Sequence, residues 1–317
     1  MVKVLIPSGA LGLGYDRAAL ARGIAQKPDI IAIDGGSTDS GPHYLGTGTS
    51  KYSRNSTKAE WRELMAARAE AGVPLVIGTA GTCGADDAVD WLVEITREIA
   101  AETGESLRLA VLKSGQDNQT MVAALRAGRI TPLPAAPEIS DTLLLECTNI
   151  VALAGAEQIQ EALNTGADII IAGRTTDTAI ISALPLARGC HAGGCWHGAK
   201  IGECGALATT SPNSGTIMIA FDAEGFTMTP MGAEARATPR TVSAHMLYEN
   251  SDPHILYEPG GHLDVRGATY TALNDREVRV TGSEWIVSDR YTVKLEGARR
   301  VGFQTESLVL VRDAHYV

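Results

Sequence analysis

The sequence predicts an α/β protein: a parallel sheet flanked by helices, followed by a smaller mixed α+β portion with antiparallel strands. Three observations predict it. Short runs of branched apolar residues recur through the first two thirds of the chain, each closed by glycine or a polar residue, as buried strands of a parallel sheet require. Helical periodicity fills the intervals between them, and strand alternating with helix is the signature of a sheet wound with helices. After about Ser211 the texture changes to short alternating segments broken by proline and glycine, which resemble antiparallel strands. The expected division is 1–210 for the sheet with its strand-end site loops and 211–317 for a mixed portion that completes the site.

In order along the chain, residues 2–6 read as the first strand, and a glycine-rich loop runs from Ser8 to Asp16. Asp16 is an acceptable N-cap for a helix through Ala18, Ala19, Leu20 and Ile24. Residues 29–33 (DIIAI) are the second strand, and Asp34 opens its loop, which holds Ser37 and Thr38. Residues 42–56 are polar and turn-rich, without periodicity. The stretch 57–71 reads as a helix with Trp61, Leu64, Met65 and Ala67 at its apolar positions. Residues 74–77 (PLVI) are the third strand, with Thr79 and Cys83 in the loop behind it. The clearest helix covers 85–103: Val89, Leu92, Val93, Ile95 and Ile99 lie broadly on one side and Gly104 stops it.

Residues 107–112 form a fourth strand, 118–127 a helix ended by Gly128, and 131–137 a proline-rich surface connection. A strand at 149–153, a helix near 157–163 and a strand at 169–172 make a second strand–helix–strand series, after which 178–186 can wind into a helix. Beyond 211, a strand is expected at 216–221, a helix at 241–249, a turn-rich passage at 257–265, and alternating strands at 277–280 and 290–295. Residues 307–311 read as a last apolar strand, and a chain ending so soon after it suggests that further sequence once followed.

At 317 residues the chain fits one large domain or two modest ones. Its 44% hydrophobic and 20% charged residues are those of an ordinary soluble globular protein. A net charge of −10 argues against nucleic acid or an anionic membrane as partner. No run reaches the ~18 apolar residues of a membrane span, and the apolar start is too short for a signal peptide. Five cysteines do not suggest a disulfide framework. The expected location is the cytoplasm.

Four loops share one character, small hydroxyls or glycine just after an apolar strand, beginning at Ser8, Asp34, Thr79 and Arg174. In open α/β sheets ligands sit outside the carboxyl ends of the strands. Glycines let backbone N–H groups approach an anion, and Ser and Thr add neutral donors. The first loop departs from the dinucleotide fingerprint, because its glycines fall at 9, 12 and 14. Arg174 in Arg174-Thr175-Thr176-Asp177 can form a paired hydrogen bond to a carboxylate or phosphate. Asp177 either caps the next helix, pairs with Arg174, or acts chemically.

The segment from His191 to Cys204 is dense in capable groups. His191 and His197 have zinc-like spacing, yet no C-x-x-C pair accompanies them. Cys195 and Cys204 are as readily small buried hydrophobes. Lys200 and Glu203 either pair along a helix or, if buried, serve as acid and base. Cys83 near a helix start is either a reactive thiol or an inert one. His245 and His262 reach the site from the second half or stay on the surface.

GADIIIAGRTTDTA followed by HGAKIGECGA, with the earlier SGALGLGYDR and IDGGSTDSGPHYLG, resembles the acyclic terpene utilisation (AtuA-like) family over most of the chain. The resemblance implies bacterial breakdown of branched acyclic terpenoids and other organic acids, often as acyl-CoA thioesters. It also implies a longer chain with a smaller C-terminal domain, or action with a small partner protein. Asp16, Arg17, Asp34, Gly173, Arg174, Asp177, Glu203 and Cys204 match its motifs, without catalytic roles to carry over.

The resulting expectation is an enzyme that abstracts a proton next to a carbonyl, as a hydratase, lyase or isomerase, on a small carboxylate or acyl-CoA. Glu203, Lys200, Asp34 and Asp177 are the candidate catalytic groups. Arg174, Thr175, Ser8, Asp16, Ser37, Thr38, Thr79 and Cys83 are candidate substrate contacts, with Arg174 as the clamp. No metal is assigned and the residues specify no cofactor. A homo-oligomer is expected, with no nucleic-acid or membrane partner. The rival readings are a non-catalytic acyl-CoA-binding or scaffold subunit and a metal-dependent hydrolase built on 191–204.

Overall fold

A computed structural model describes residues 1–36 and 40–307. Ser37 and Thr38, and the strand expected at 307–311 beyond Ser307, lie outside the described residues. The first half runs β1 (Val2–Ile6), α1 (Arg17–Ala25), β2 (Ile30–Asp34), α2 (Pro42–Thr47), α3 (Arg54–Ala71), β3 (Leu75–Gly78), α4 (Asp86–Thr103), β4 (Leu109–Leu112), α5 (Asn118–Arg126) and α6 (Asp141–Glu146). Next come β5 (Cys147–Ala152), α7 (Ala156–Asn164), β6 (Ile169–Ala172), α8 (Ala179–Ala187) and α9 (Ala192–Gly202). The remainder is β7 (Ile217–Phe221), β8 (Gly225–Pro230), α10 (Pro239–His245), β9 (Ile255–Glu258), β10 (Gly261–Asp264), β11 (Thr269–Ala272), β12 (Val278–Thr281), β13 (Glu284–Val287) and β14 (Leu295–Arg299).

A nine-stranded sheet has the order β11-β12-β8-β7-β1-β2-β3-β6-β4. Five strands, β1, β2, β3, β6 and β4, are parallel. The other four continue the same sheet antiparallel from the β1 side. Alternate residues of the parallel strands face opposite ways, and both faces are apolar. Val4, Ile30, Val76 and Ile170 pack with Ile159, Ile180 and Trp196 of α7, α8 and α9. Leu5, Ile31, Leu75 and Ile169 pack with Leu20, Trp61 and Leu92 of α1, α3 and α4. Strands covered on both faces read as unbroken apolar runs, which is why they are legible in the sequence.

Several expectations are corrected. The strand at 149–153 does not join the parallel sheet: β5 pairs antiparallel with β14, and that pairing places the expected 290–295 strand at Leu295–Arg299. Residues 42–56 hold a short helix, with Pro42 at its first turn, and the capped start of α3 at Ser53. The passage 257–265 is a hairpin, β9 to β10, turned at Pro259-Gly260. The glycine-rich stretch after His191 is the helix α9. Its glycines allow close approach: a Cβ at Gly194 would lie 2.6 Å from the Gly225 backbone, and one at Gly198 2.5 Å from the Phe221 ring. Glycine is a weak helix former, so close packing outweighs local propensity here.

Candidate active site

Four strand ends meet. The Asp34 carbonyl accepts from the Leu11 N–H at 2.8 Å, tying the Ser8 loop to the end of β2. Gly35 N–H donates to the Gly78 carbonyl, and Thr79 N–H to the Gly173 carbonyl, both at 2.8 Å. The loops after β1, β2, β3 and β6 are thus stitched side by side. Thr79 and Thr82 hold positive φ, +50° and +79°, an outlying conformation for β-branched residues, of the sort found at functional sites. The end of α9 closes the group, since a Cβ at Gly9 would sit 3.2 Å from the Cys204 backbone.

Arg174 is only 5% exposed. Its Nε and Nη2 donate to the two Glu296 oxygens at 2.9 and 3.3 Å. Nη1 donates to the Thr175 carbonyl at 2.9 Å, and to Thr79 Oγ1 and Asp177 Oδ1 at 3.2 Å. The paired face of the guanidinium, which the sequence offers to a substrate anion, is held by Glu296. Burial alone would lift the Glu296 carboxyl, but Arg174, then Lys294, outweigh it and hold it at about 2. Arg174 acts as a bracket between the loop after β6 and β14.

The carboxyl groups around Asp177 go the other way. Asp34 is pushed well above its ordinary range by burial, then by Asp177, against the pull of Arg174 and the Gly35 N–H. Lys200 and Glu203 are partners across one turn at the end of α9. Burial lifts Glu203, with Asp177 and Glu258 adding to it, and this exceeds the opposing pull of Lys200. Lys200 in turn is held protonated, because Glu203 outweighs its own burial. Glu258, at the end of β9, is raised to about 7 by burial. The Thr178 hydroxyl donates to its Oε1 at 2.6 Å. Asp177 keeps 30% of its side chain exposed and acts on Asp34, Lys200, Glu203 and Glu258 alike. It is the solvent-facing member of a cluster whose other acids lie deeper.

Three buried polar atoms at this place have no hydrogen-bond partner among the described residues: Thr175 Oγ1, His245 Nε2 and Glu258 Oε2. His245 is held neutral, its pKa lowered to about 4 by burial and then by Lys200. Such orphans are rare in native proteins and call for an explanation.

Other expected residues lie elsewhere. Asp16 caps α1, accepting from Ala18 N–H at 2.9 Å, and pairs with Arg22. Cys83 is fully buried among Leu45, Ala88 and Val151; burial pushes its thiol up, the opposite of what a reactive thiolate needs. Ser8 is buried on the loop beside Cys204 and Gly205. His191 Nδ1 accepts from Gly194 N–H and caps α9. His197 lies between Ser283 at 2.7 Å and Tyr270 at 3.1 Å. Among the described residues no group of three or more His, Cys, Asp or Glu is arranged to hold a metal. His262 stays half-exposed on β10 beside Tyr257. Glu258 and Glu296 escaped the sequence reading. Glu258 stands before Pro259-Gly260-Gly261, an acid-before-glycine pattern like that at Asp34; Glu296 has no such signal.

The fold defines an α/β protein in which the acids Asp34, Asp177, Glu203 and Glu258 act on one another, two of them at the ends of parallel strands. The family model described as acyclic terpene utilisation family protein AtuA matches residues 46–316 of the 317, and the chain belongs to that family. Comparison with curated proteins and with solved structures finds no match. Among the described residues no helix is long and apolar enough to cross a membrane.

Proposed function

We propose that this protein is an enzyme of acyl-group catabolism that moves a proton at the carbon next to a thioester carbonyl. The observation that supports this reading is the set of carboxyls, Asp34, Glu203 and Glu258, each raised by burial, beside an ammonium held by Glu203. A carboxyl poised near neutrality is suited to give or take a proton at ordinary pH. Glu203 exchanges the proton with substrate carbon, and Lys200 steadies the negative charge that develops on the carbonyl oxygen. Asp34 holds a neighbouring proton.

An acyl thioester fits this setting better than a free carboxylate. The two cations at the site, Arg174 and Lys200, already hold Glu296, Asp177 and Glu203. A substrate carboxylate would have to displace one of these acids from its contact. A neutral carbonyl accepts from a protonated carboxyl without such displacement.

The test is hydrogen exchange in heavy water, read by mass spectrometry, with branched acyl-CoA thioesters and the matching free acids. The expected result is deuterium at the carbon next to the thioester carbonyl and none in the free acids. A chain that binds the thioesters and exchanges nothing is the non-catalytic acyl-binding subunit instead, and the enzyme reading is then wrong.

A further inference from the structure

Asp177 stands between two threonines whose hydroxyls turn to one carboxyl on another element. The Thr178 hydroxyl donates to Glu258 Oε1 at 2.6 Å. Thr176 Oγ1 lies 3.1 Å from Thr178 Oγ1 and offers the same carboxyl a second hydroxyl. Thr178 is 3% exposed and opens α8, where a threonine ordinarily caps the helix. Its side chain makes no cap bond and is given to Glu258 instead.

Before Asp177 the turn is fixed by backbone: Ala154 N–H donates to the Arg174 carbonyl and Thr176 N–H to the Ala154 carbonyl, both at 3.0 Å. After Asp177 the hold is Thr178 on Glu258. Glu258 is itself anchored. It ends β9 opposite Gly261 of β10, and the Gly260 carbonyl accepts from Ser288 N–H at 2.9 Å. A Cβ at Gly260 would lie 3.1 Å from the Tyr291 ring, and the Tyr291 hydroxyl donates to Glu157 Oε2 at 3.0 Å, tying this hairpin end to α7. The turn also packs on the end of α9. Ile181 N–H donates to the Thr178 carbonyl at 3.2 Å, and a Cβ at Gly202, the residue before Glu203, would lie 3.5 Å from Ile181.

Resting on the proton-transfer reading above, we infer that Glu258 and Thr178 are positioning residues, which hold the turn that carries Asp177 against the end of α9. Arg174 fixes the Asp177 carboxylate, Nη1 to Oδ1 at 3.2 Å, and Glu258 fixes the backbone that bears it. The groups that face Glu203 are Lys200 and Cys204 from its own stretch, Asp177 from the loop after β6, Asp34 from the end of β2 and Glu258 from β9. Lys200 pulls the Glu203 carboxyl down, while Asp177 and Glu258 raise it. A loosened turn lets Asp177, already 30% exposed in its side chain, move toward water, and withdrawing that negative charge lets Glu203 ionise at lower pH. Losing the Thr178 hydroxyl also keeps Glu258 neutral to higher pH, which acts on Glu203 in the same direction.

The experiment follows deuterium exchange next to the carbonyl of a saturated methyl-branched acyl-CoA, with the full chain, between about pH 5 and about pH 10. Glu203 takes the proton in its ionised form, so the parent rate is expected to rise with pH. Thr178→Val keeps the shape and loses the hydroxyl. Its maximal rate should fall about tenfold, less than the roughly hundredfold of a full misplacement because Thr176 keeps one hold, and the rising limb should move to lower pH. Thr178→Ser, which keeps the hydroxyl, should return the limb to its place and the rate to within a few-fold of the parent. Thr178→Ala makes the same comparison if urea unfolding shows that the valine variant does not fold. A valine variant with the parent's rate and limb overturns the inference and leaves the proton-transfer reading standing. A slowed variant whose limb has not moved downward, or that serine does not restore, overturns it too, reducing the tie to a structural one. A parent that exchanges nothing overturns both readings.

Discussion

Glu203→Gln is expected to lower deuterium exchange next to the thioester carbonyl by about a hundredfold to ten-thousandfold, the range a positioned acid–base group supplies. The substitution is nearly isosteric and its amide oxygen still accepts from Lys200, so the end of α9 keeps its contact. What disappears is a transferable proton. Because burial already lifts the Glu203 carboxyl toward its neutral form, a neutral amide changes the local charge little, and the variant should fold about as stably as the parent. Exchange rate and urea unfolding, measured on one preparation, separate chemistry from folding. Unchanged exchange would pass the role of proton donor to Glu258 or Asp34.

Arg174→Ala should have the largest effect on stability, a loss of about 3–5 kcal/mol, typical of breaking a buried ion pair from one side. The truncation takes both guanidinium hydrogen bonds from the Glu296 carboxylate, 9% exposed in its side chain, and frees the Asp177 and Thr79 contacts as well. Arg174→Lys should also lose stability, since an ammonium does not reproduce the two-pronged contact with Glu296. Joint replacement of Arg174 and Glu296 by Met should restore part of the loss, because the buried Glu296 carboxylate is then no longer stranded, while Asp177 and Lys294 keep contact with solvent. Urea unfolding of the four proteins checks this. Full stability in Arg174→Lys with a raised KM alone would return Arg174 to the substrate-clamp role.

The parallel strands were legible because both of their faces are buried, so residues such as those of 30–33 and 169–172 carry no alternation to misread. Asp34, Thr79, Arg174 and Asp177 stand out in the sequence for the same reason: polar groups directly after such runs have little packing purpose. Asp16 shows the limit of that logic, since an acid before a helix serves equally as a cap. The contacts of Arg174 were not legible, because they depend on Glu296, 122 residues away in the chain. That contact exists because β14 pairs with β5, a long-range pairing no local pattern encodes. Glu258 is set by the β9–β10 hairpin, whose short strands are half-buried and look like turns. The helix α9 was hidden by its glycines, which local propensity scores against a helix and tight packing demands.

The proposed chemistry requires that buried carboxyls beside Asp177 keep their protons near neutral pH. Infrared difference spectra taken from about pH 5 to about pH 9 bracket the value of about 7 that burial gives Glu258. The expected result is a protonated-carboxyl band that fades as pH rises through that range and is weaker in Glu258→Gln, with Glu203 and Asp34 keeping their share. A parent spectrum in which these carboxyls are already ionised at about pH 5 would contradict it.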